Sequence, residues 1–185
     1  MAALGSKLIL RAVYSRSFKS ASELAESAKA TLKLEALPKI YSDDSSDSGS
    51  TLDALLARAD IDAVIIVLPI TTQPEIVIKC LRAGKHVLSE KPVAPDVKSG
   101  LNLIAQYEKE FKPKGLIWRV AENYEAEPGY RRAAEAIKQG KIGAVRFFRL
   151  TAVGYVGKDS KWYKTPWRTV PDVRDSLICT KGTNL

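Results

Sequence analysis

The chain has 185 residues, 45% apolar and 27% charged, a length and balance that fit one globular domain, or one and part of another, with enough apolar residues for a sizeable core. Its formal net charge of +8 favours anionic partners: a phosphate-bearing cofactor, nucleic acid or an acidic membrane. Three classes are not expected: no apolar run nears the roughly 18 residues of a membrane span, MAALGSKLIL lacks the order of a secretory signal, and Cys80 and Cys179 make neither a disulfide framework nor a metal-ligand spacing.

A reducing, cytoplasmic location without a membrane or a bound metal is therefore expected. Leu8 to Tyr14 (LILRAVY) is a short β-prone run ending in polar Ser15-Arg16-Ser17. Ser20-Ala-Ser-Glu23 has the form of a capping box, and Ala21, Leu24, Ala25 and Ala28 recur at helical spacing behind it. Tyr41 to Ser50 (YSDDSSDSGS) is polar and predicts a surface loop. Leu52, Leu55 and Leu56 mark a short helix. AVIIVLP, from Ala63, is a continuous apolar run of the kind found in strands buried on both faces.

Pro74 suits a first helical position, Ile76, Val77, Cys80 and Leu81 form one stripe, and Gly84 fits just past the helix end. HVLSE is the next strand. A helix from about Pro95 to Phe111 follows, with Val97, Leu101, Ile104 and Phe111 expected inward, and GLIWRVAEN is strand-like. Tyr130, Ala133, Ala134 and Ile137 stripe a further helix ended by Gly140. Val145 to Val156 (VRFFRLTAVGYV) is rich in β-formers and predicts a long strand opening a second sheet.

Strands alternating with helices imply right-handed βαβ units and a parallel sheet. In such sheets ligands bind beyond the carboxyl ends of the strands. Those ends carry Ser15-Arg16, then Leu68-Pro69-Ile70-Thr71-Thr72-Gln73, then Glu90-Lys91-Pro92, then Glu122-Asn123-Tyr124. All are polar or turn-forming, and together they can line one crevice.

The stretch Ala83-Gly84-Lys85-His86-Val87-Leu88-Ser89-Glu90-Lys91-Pro92, preceded by AVIIVLP and TTQPEIVIKCLR, resembles the A-G-K-H-V-x-x-E-K-P hallmark of the glucose–fructose oxidoreductase/inositol dehydrogenase/rhizopine-catabolism (Gfo/Idh/MocA) family. Lys138 to Val145 (KQGKIGAV) and Tyr163 to Arg168 (YKTPWR) look like its dihydrodiol-dehydrogenase-like branch, and the resemblance runs from about Leu8 to Pro171. It implies a Rossmann-type doubly wound parallel sheet followed by the start of an α+β open-sheet domain. The implied activity is hydride transfer between a nicotinamide dinucleotide and a sugar, polyol or diol.

By that resemblance Lys91 stands beside the nicotinamide and the substrate hydroxyl as the proton relay, a role suited to a partly desolvated lysine. Glu90 orients the nicotinamide side and Pro92 fixes the turn. Leu68, Pro69, Thr71 and Gln73 fall in the loop that contacts the nicotinamide ribose and pyrophosphate, although Ile70 and Gln73 replace the asparagine and histidine of many relatives. Asn123 matches a position near the nicotinamide, and Trp167-Arg168 a cofactor-contacting pair. At the end of the first strand, where many relatives place an aspartate for the ribose 2′-hydroxyl, the chain has Ser15-Arg16, and an arginine there accommodates a 2′-phosphate. NADP is thus expected as cofactor, with NAD as the alternative.

The sequence also departs from the pattern. It contains no G-x-G-x-x-G turn, and no acid–histidine pair follows Trp167-Arg168, since His86 is the sole histidine. The expectation is a member truncated at both ends, lacking the strand between those at Leu8 and Ala63, and weakly active or inactive. Its divisions are expected as an incomplete NAD(P)-binding domain over 1–124, the start of a substrate and dimerisation domain over 125–172, and an irregular tail over 173–185. The basic and aromatic stretch Lys141 to Arg168 lacks any nucleic-acid motif, so no nucleic-acid partner is expected. A homo-oligomer, or pairing with a full-length homologue through Val145 to Val156, is the partner the resemblance implies.

Overall fold

The computed structural model describes residues 7–149 and, beyond them, 151, 153–155, 157–160 and 163. The first strand, β1 (Ala12–Ser15), leads into α1 (Phe18–Leu32). The helix is capped by Ser17, whose side chain accepts from Ser20 N, and not by the box expected at Ser20. Ser17 has the extended backbone a cap residue needs, and the helix starts one residue later. Its buried side is Ala21 and Ala25, small enough to bring α1 close to the sheet, whereas Leu24 faces outward.

The next strand, β2 (Lys39–Ser42), pairs parallel to β1 with Ala12 opposite Lys39 and Ser15 opposite Ser42. The loop expected from Tyr41 therefore begins later: Tyr41 is only 2% exposed and Ser42 is fully buried. β1 offers backbone partners to a segment whose own β signal is two residues long. Thr51 then caps α2 (Leu52–Leu56), which buries its three leucines as expected.

A three-stranded parallel sheet follows, in the order β3 (Ala63–Ile66), β4 (His86–Ser89), β5 (Trp118–Val120). The helix α3 (Gln73–Arg82) connects β3 to β4, and α4 (Val97–Glu110), capped by Asp96, connects β4 to β5. α3 ends on two hydrogen bonds, Gly84 N to Leu81 O and Lys85 N to Cys80 O, both 3.0 Å, with Gly84 at φ 77°. That is a Schellman closure, and it requires the left-handed conformation that glycine adopts without penalty.

The pairings Val64–Val87–Trp118 and Ile66–Ser89–Val120 set one face of this sheet against α3 and α4, where Val77, Cys80, Leu81, Leu103 and Phe111 complete the core. The opposite face carries Ile65, Leu88 and Arg119 in register, with Ile65 57% and Leu88 38% exposed. β3 is thus buried on one face only, against expectation, because no described element covers the other. Nor does β1 pair with β3: among the described residues each of them is hydrogen-bonded to one neighbour, so the strands fall into two separate sheets. The fold is a partial Rossmann-type α/β domain.

Two helical stripes also differ from expectation. In α4 the buried positions are Gly100 and Leu103, whereas Val97, Leu101 and Ile104 are exposed; of the expected stripe only Phe111 is inside. Gly100 is buried against the β4–α4 loop, where a Cβ would meet Val93 Cγ1 at 3.4 Å. α5 (Pro128–Lys138) buries no residue, and its Tyr130 and Ile137 stripe is open. Finally, no strand forms among the described residues of 145–156; Phe147 and Phe148 are exposed, and no described strand lies beside them to complete a ladder.

Candidate functional site

Register builds the site. Because Ile66, Ser89 and Val120 are opposite one another, the residues that follow them emerge side by side. The ladder continues one step further: Glu90 N donates to Ile66 O at 3.0 Å and Ala121 N to Ser89 O at 2.7 Å. Leu68-Pro69, Glu90-Lys91-Pro92 and Glu122-Asn123 thereby share one edge of the three-stranded sheet, with the lysine-bearing turn in the middle. Ser15 ends β1 in the other sheet, next to Ser42.

The turn after β3 is closed by Pro69 O, which accepts from Thr72 N, Gln73 N and Thr72 Oγ1 at 3.0–3.1 Å. Leu68 packs against the core, while Pro69 and Thr71 are exposed. Gln73 turns inward and is 1% exposed. Its Nε2 donates to Glu90 O at 2.7 Å and to Pro92 O at 2.9 Å, leaving Oε1 buried without a hydrogen-bond partner. This inward bridge left no signal in the sequence, because an amide that binds main-chain carbonyls obeys no side-chain pattern.

The Glu90 carboxylate folds back to accept from Lys91 N at 3.0 Å. Among the described residues it forms no ion pair with the Lys91 side chain, which is exposed at the tip; the Lys91–Pro92 peptide is cis. Beneath the turn, Trp118 Nε1 donates to Ser89 Oγ at 3.0 Å. Asn123 is exposed in a 3-10 turn, Asn123–Ala126, headed by Glu122, whose Oε1 accepts from Tyr124 N. Trp167 and Arg168 lie outside the described residues. A groove of about 450 Å³ adjoins the lysine turn, formed by Ile70, Pro92–Val97 and, on α4, buried Gly100 with exposed Leu101 and Ile104.

At the end of β1, Arg16 is exposed and holds no carboxylate among the described residues. Two acids without a sequence motif of their own lie close by: Asp43 accepts from Tyr14 OH at 2.6 Å and Asp44 from Phe18 N at 2.7 Å. Their one signal is the polar Ser42-Asp43-Asp44 run directly after β-forming Ile40-Tyr41. Burial, then Asp43, pushes the Tyr14 phenol well above its ordinary range, and the Arg16 cation acts the opposite way. His86 is structural, its Nδ1 accepting from Ile117 N at 3.0 Å.

A phosphorylated dinucleotide fits this edge in part. The free Arg16 guanidinium suits a 2′-phosphate, and the aligned tips around Lys91 suit a nicotinamide ribose. The connection between β1 and α1, Ser15-Arg16-Ser17, has none of the glycines that let a pyrophosphate approach backbone. No helix among the described residues is long and apolar enough to cross a membrane, and no three His, Cys, Asp or Glu among them group to hold a metal ion.

The chain is similar to several known oxidoreductases. "Dehydrogenase FPY6" of Fusarium mangiferae is 41% identical over 175 residues, covering 95% of this chain and 48% of that protein. An uncharacterized oxidoreductase of Schizosaccharomyces pombe is 32% identical over 134 residues, covering 72% of this chain and 34% of its own length. The chain thus spans about half or less of the curated relatives it matches. An oxidoreductase structure from Thermotoga maritima superposes with a TM-score of 0.72 at 26% identity, over 95% of this chain and 48% of that one. The 3-ketoreductase KijD10 of Actinomadura kijaniata, solved with NADP and TDP-benzene, gives 0.50 at 29% identity, over 73% and 36%. Residues 1–113 match the oxidoreductase family with an NAD-binding Rossmann fold, GFO_IDH_MocA. With that match extending over more than half of its length, the chain belongs to the Gfo/Idh/MocA oxidoreductases.

Proposed function

We propose that this chain carries the dinucleotide-binding half of an NADP-dependent oxidoreductase acting on a hydroxyl or carbonyl of a sugar, polyol or diol. The observation that carries the reading is the register at Ile66, Ser89 and Val120, which sets Lys91 on the central tip between the Pro69–Thr71 turn and Asn123. The bound dinucleotide supplies or accepts the hydride. In oxidation the Lys91 amine takes the substrate hydroxyl proton, and in reduction it returns that proton to the carbonyl oxygen. Glu90 holds the Lys91 backbone through its carboxylate. Arg16, beside Ser15, receives the 2′-phosphate, and Leu68, Pro69, Thr71, Asn123, Trp167 and Arg168 complete the contacts with the cofactor.

The dinucleotide-binding part extends over 1–124 and the start of the substrate domain over 125–172, with NAD as the alternative cofactor. The buried Cys80 is compatible with a reducing cytoplasm. Turnover by this chain alone is weak, because its only histidine is committed to the Ile117 backbone just before β5 and no glycine-rich turn is present. A second reading, pairing in trans with a full-length homologue, is favoured by the edges of β1 and β3 and the face at Ile65 and Leu88, which are open among the described residues. Fluorescence titration of the purified chain with NADPH and NADH, with turnover measured on sugars and diols, tests the main reading. Tighter binding of NADPH supports it; no binding of either dinucleotide at millimolar concentration overturns it.

A further inference from the structure

The turn that carries Lys91 is held from the inside by a residue of another element. Gln73 opens α3, and α3 is anchored in the core by Val77, Cys80 and Leu81. From there the Gln73 amide reaches 17 and 19 residues along the chain to the carbonyls of Glu90 and Pro92, the residues on either side of Lys91. Both hydrogens of one NH2 group are spent on these two acceptors.

The orientation of the amide follows from this. Turned over, its oxygen would face two carbonyl oxygens; as it stands, Oε1 is buried without a partner. A buried acceptor without a bond is unfavourable, so the two donated bonds outweigh that loss. Nothing else described fixes both sides of the lysine at once, since the Glu90 carboxylate reaches only Lys91 N.

We infer that Gln73 is a positioning residue: its amide bridges the Glu90 and Pro92 carbonyls and so aims the exposed Lys91 from a rigid helix. The inference deepens the reading of Lys91 as the proton-transferring group and rests on it for its catalytic meaning. A side chain of any other length or donor count fails. Asparagine is one methylene short, methionine fills the space without donors, and glutamate presents a carboxylate to two carbonyl oxygens until it is protonated.

The test is hydrogen exchange on the full chain for wild type, Gln73→Met and Gln73→Glu. In Gln73→Met, protection at the Glu90 and Lys91 amides falls at least tenfold, while β4 and α3 stay within about twofold. In Gln73→Glu the loss is largest at pH 8 and is partly recovered at pH 4, a pH dependence that a space-filling role does not produce. Wherever NADPH-linked turnover is measurable, kcat falls in both variants and KM for NADPH stays within about twofold. Unchanged protection at Glu90 and Lys91 in Gln73→Met, or a loss spread evenly over β3, β4 and α3, overturns the inference. Lys91→Met separates it from the reading on which it rests: if that variant keeps full turnover while Gln73→Met still loosens the turn, proton transfer by Lys91 falls and the bridge stands.

Discussion

Trp118 Nε1 donates to Ser89 Oγ at 3.0 Å, both residues being buried on adjacent strands, with Ser89 the last residue before the Glu90–Lys91 turn. Trp118 also meets Tyr107 edge to face, with centroids 5.5 Å apart at 79°. The indole N–H has no access to water, so removal of its acceptor leaves it unpaired. Ser89→Ala is expected to lower the unfolding free energy by about 1–3 kcal/mol. Urea titration followed by Trp fluorescence measures it, and an unchanged midpoint refutes the buried bond.

Gly84 sits at φ 77° with open space around the position of a Cβ. Crowding therefore plays no part, and the cost of a side chain comes from the backbone alone. Gly84→Ala is expected to lose about 1–2 kcal/mol, and the larger Gly84→Val more, since a β-branched residue tolerates the left-handed region less well. Equal stability of Gly84→Ala and wild type in thermal denaturation contradicts the Schellman closure.

The three-stranded sheet and its two helices are legible in the sequence because their signals are redundant. AVIIVLP and HVLSE are apolar runs, and Pro74 and Gly84 bracket one helix with opposite backbone preferences. Strand β2 is not legible: four residues pair because β1 is beside them, and Ile40-Tyr41 alone cannot announce a strand. The orientation of α4 escapes for a different reason. Two stripes compete on it, and the apolar one, Val97, Leu101 and Ile104, stays outside while Gly100 and Leu103 are buried, with Gly100 packed beside Val93 and Ala94.

The candidate site divides similarly. Strand ends locate binding edges in any parallel sheet, so the alternation of strands and helices alone marks Lys91, Thr71 and Asn123 as exposed tips. Gln73 belongs by its loop to the expected cofactor contacts, but its side chain runs the other way into the turn. The aspartates beside β1, Asp43 and Asp44, are hidden in the sequence because the strand that delivers them has too short a signal of its own.

Arg16 tests the choice of cofactor. It is exposed at the tip of β1 and free of carboxylate partners among the described residues, so its charge is available to a 2′-phosphate. Arg16→Ala is expected to weaken NADPH binding by about tenfold, the scale of one hydrogen bond to a charged group, and to leave NADH within about twofold. Equal weakening of both dinucleotides, measured by fluorescence titration at fixed ionic strength, removes Arg16 from 2′-phosphate recognition.

Cys80 supplies a pH dependence with a definite sign. It is fully buried on α3 against the sheet, and burial pushes its thiol up to about 11, with the Lys79 ammonium acting the other way. The folded chain therefore keeps this proton at pH values where the unfolded chain releases it. A raised folded-state value gives stability that is complete below the unfolded thiol's ordinary value of 9.0 and is lost as pH rises toward about 11. The loss reaches roughly 2 kcal/mol at the top of that window. Cys80→Ala opens a small cavity and lowers stability at neutral pH, but its stability should fall less steeply between pH 9 and pH 11 than that of wild type. At pH 8 the native thiol should resist alkylation on a timescale set by unfolding. Parallel stability curves for the two proteins through that window, or rapid native alkylation at pH 8, contradict a buried neutral Cys80.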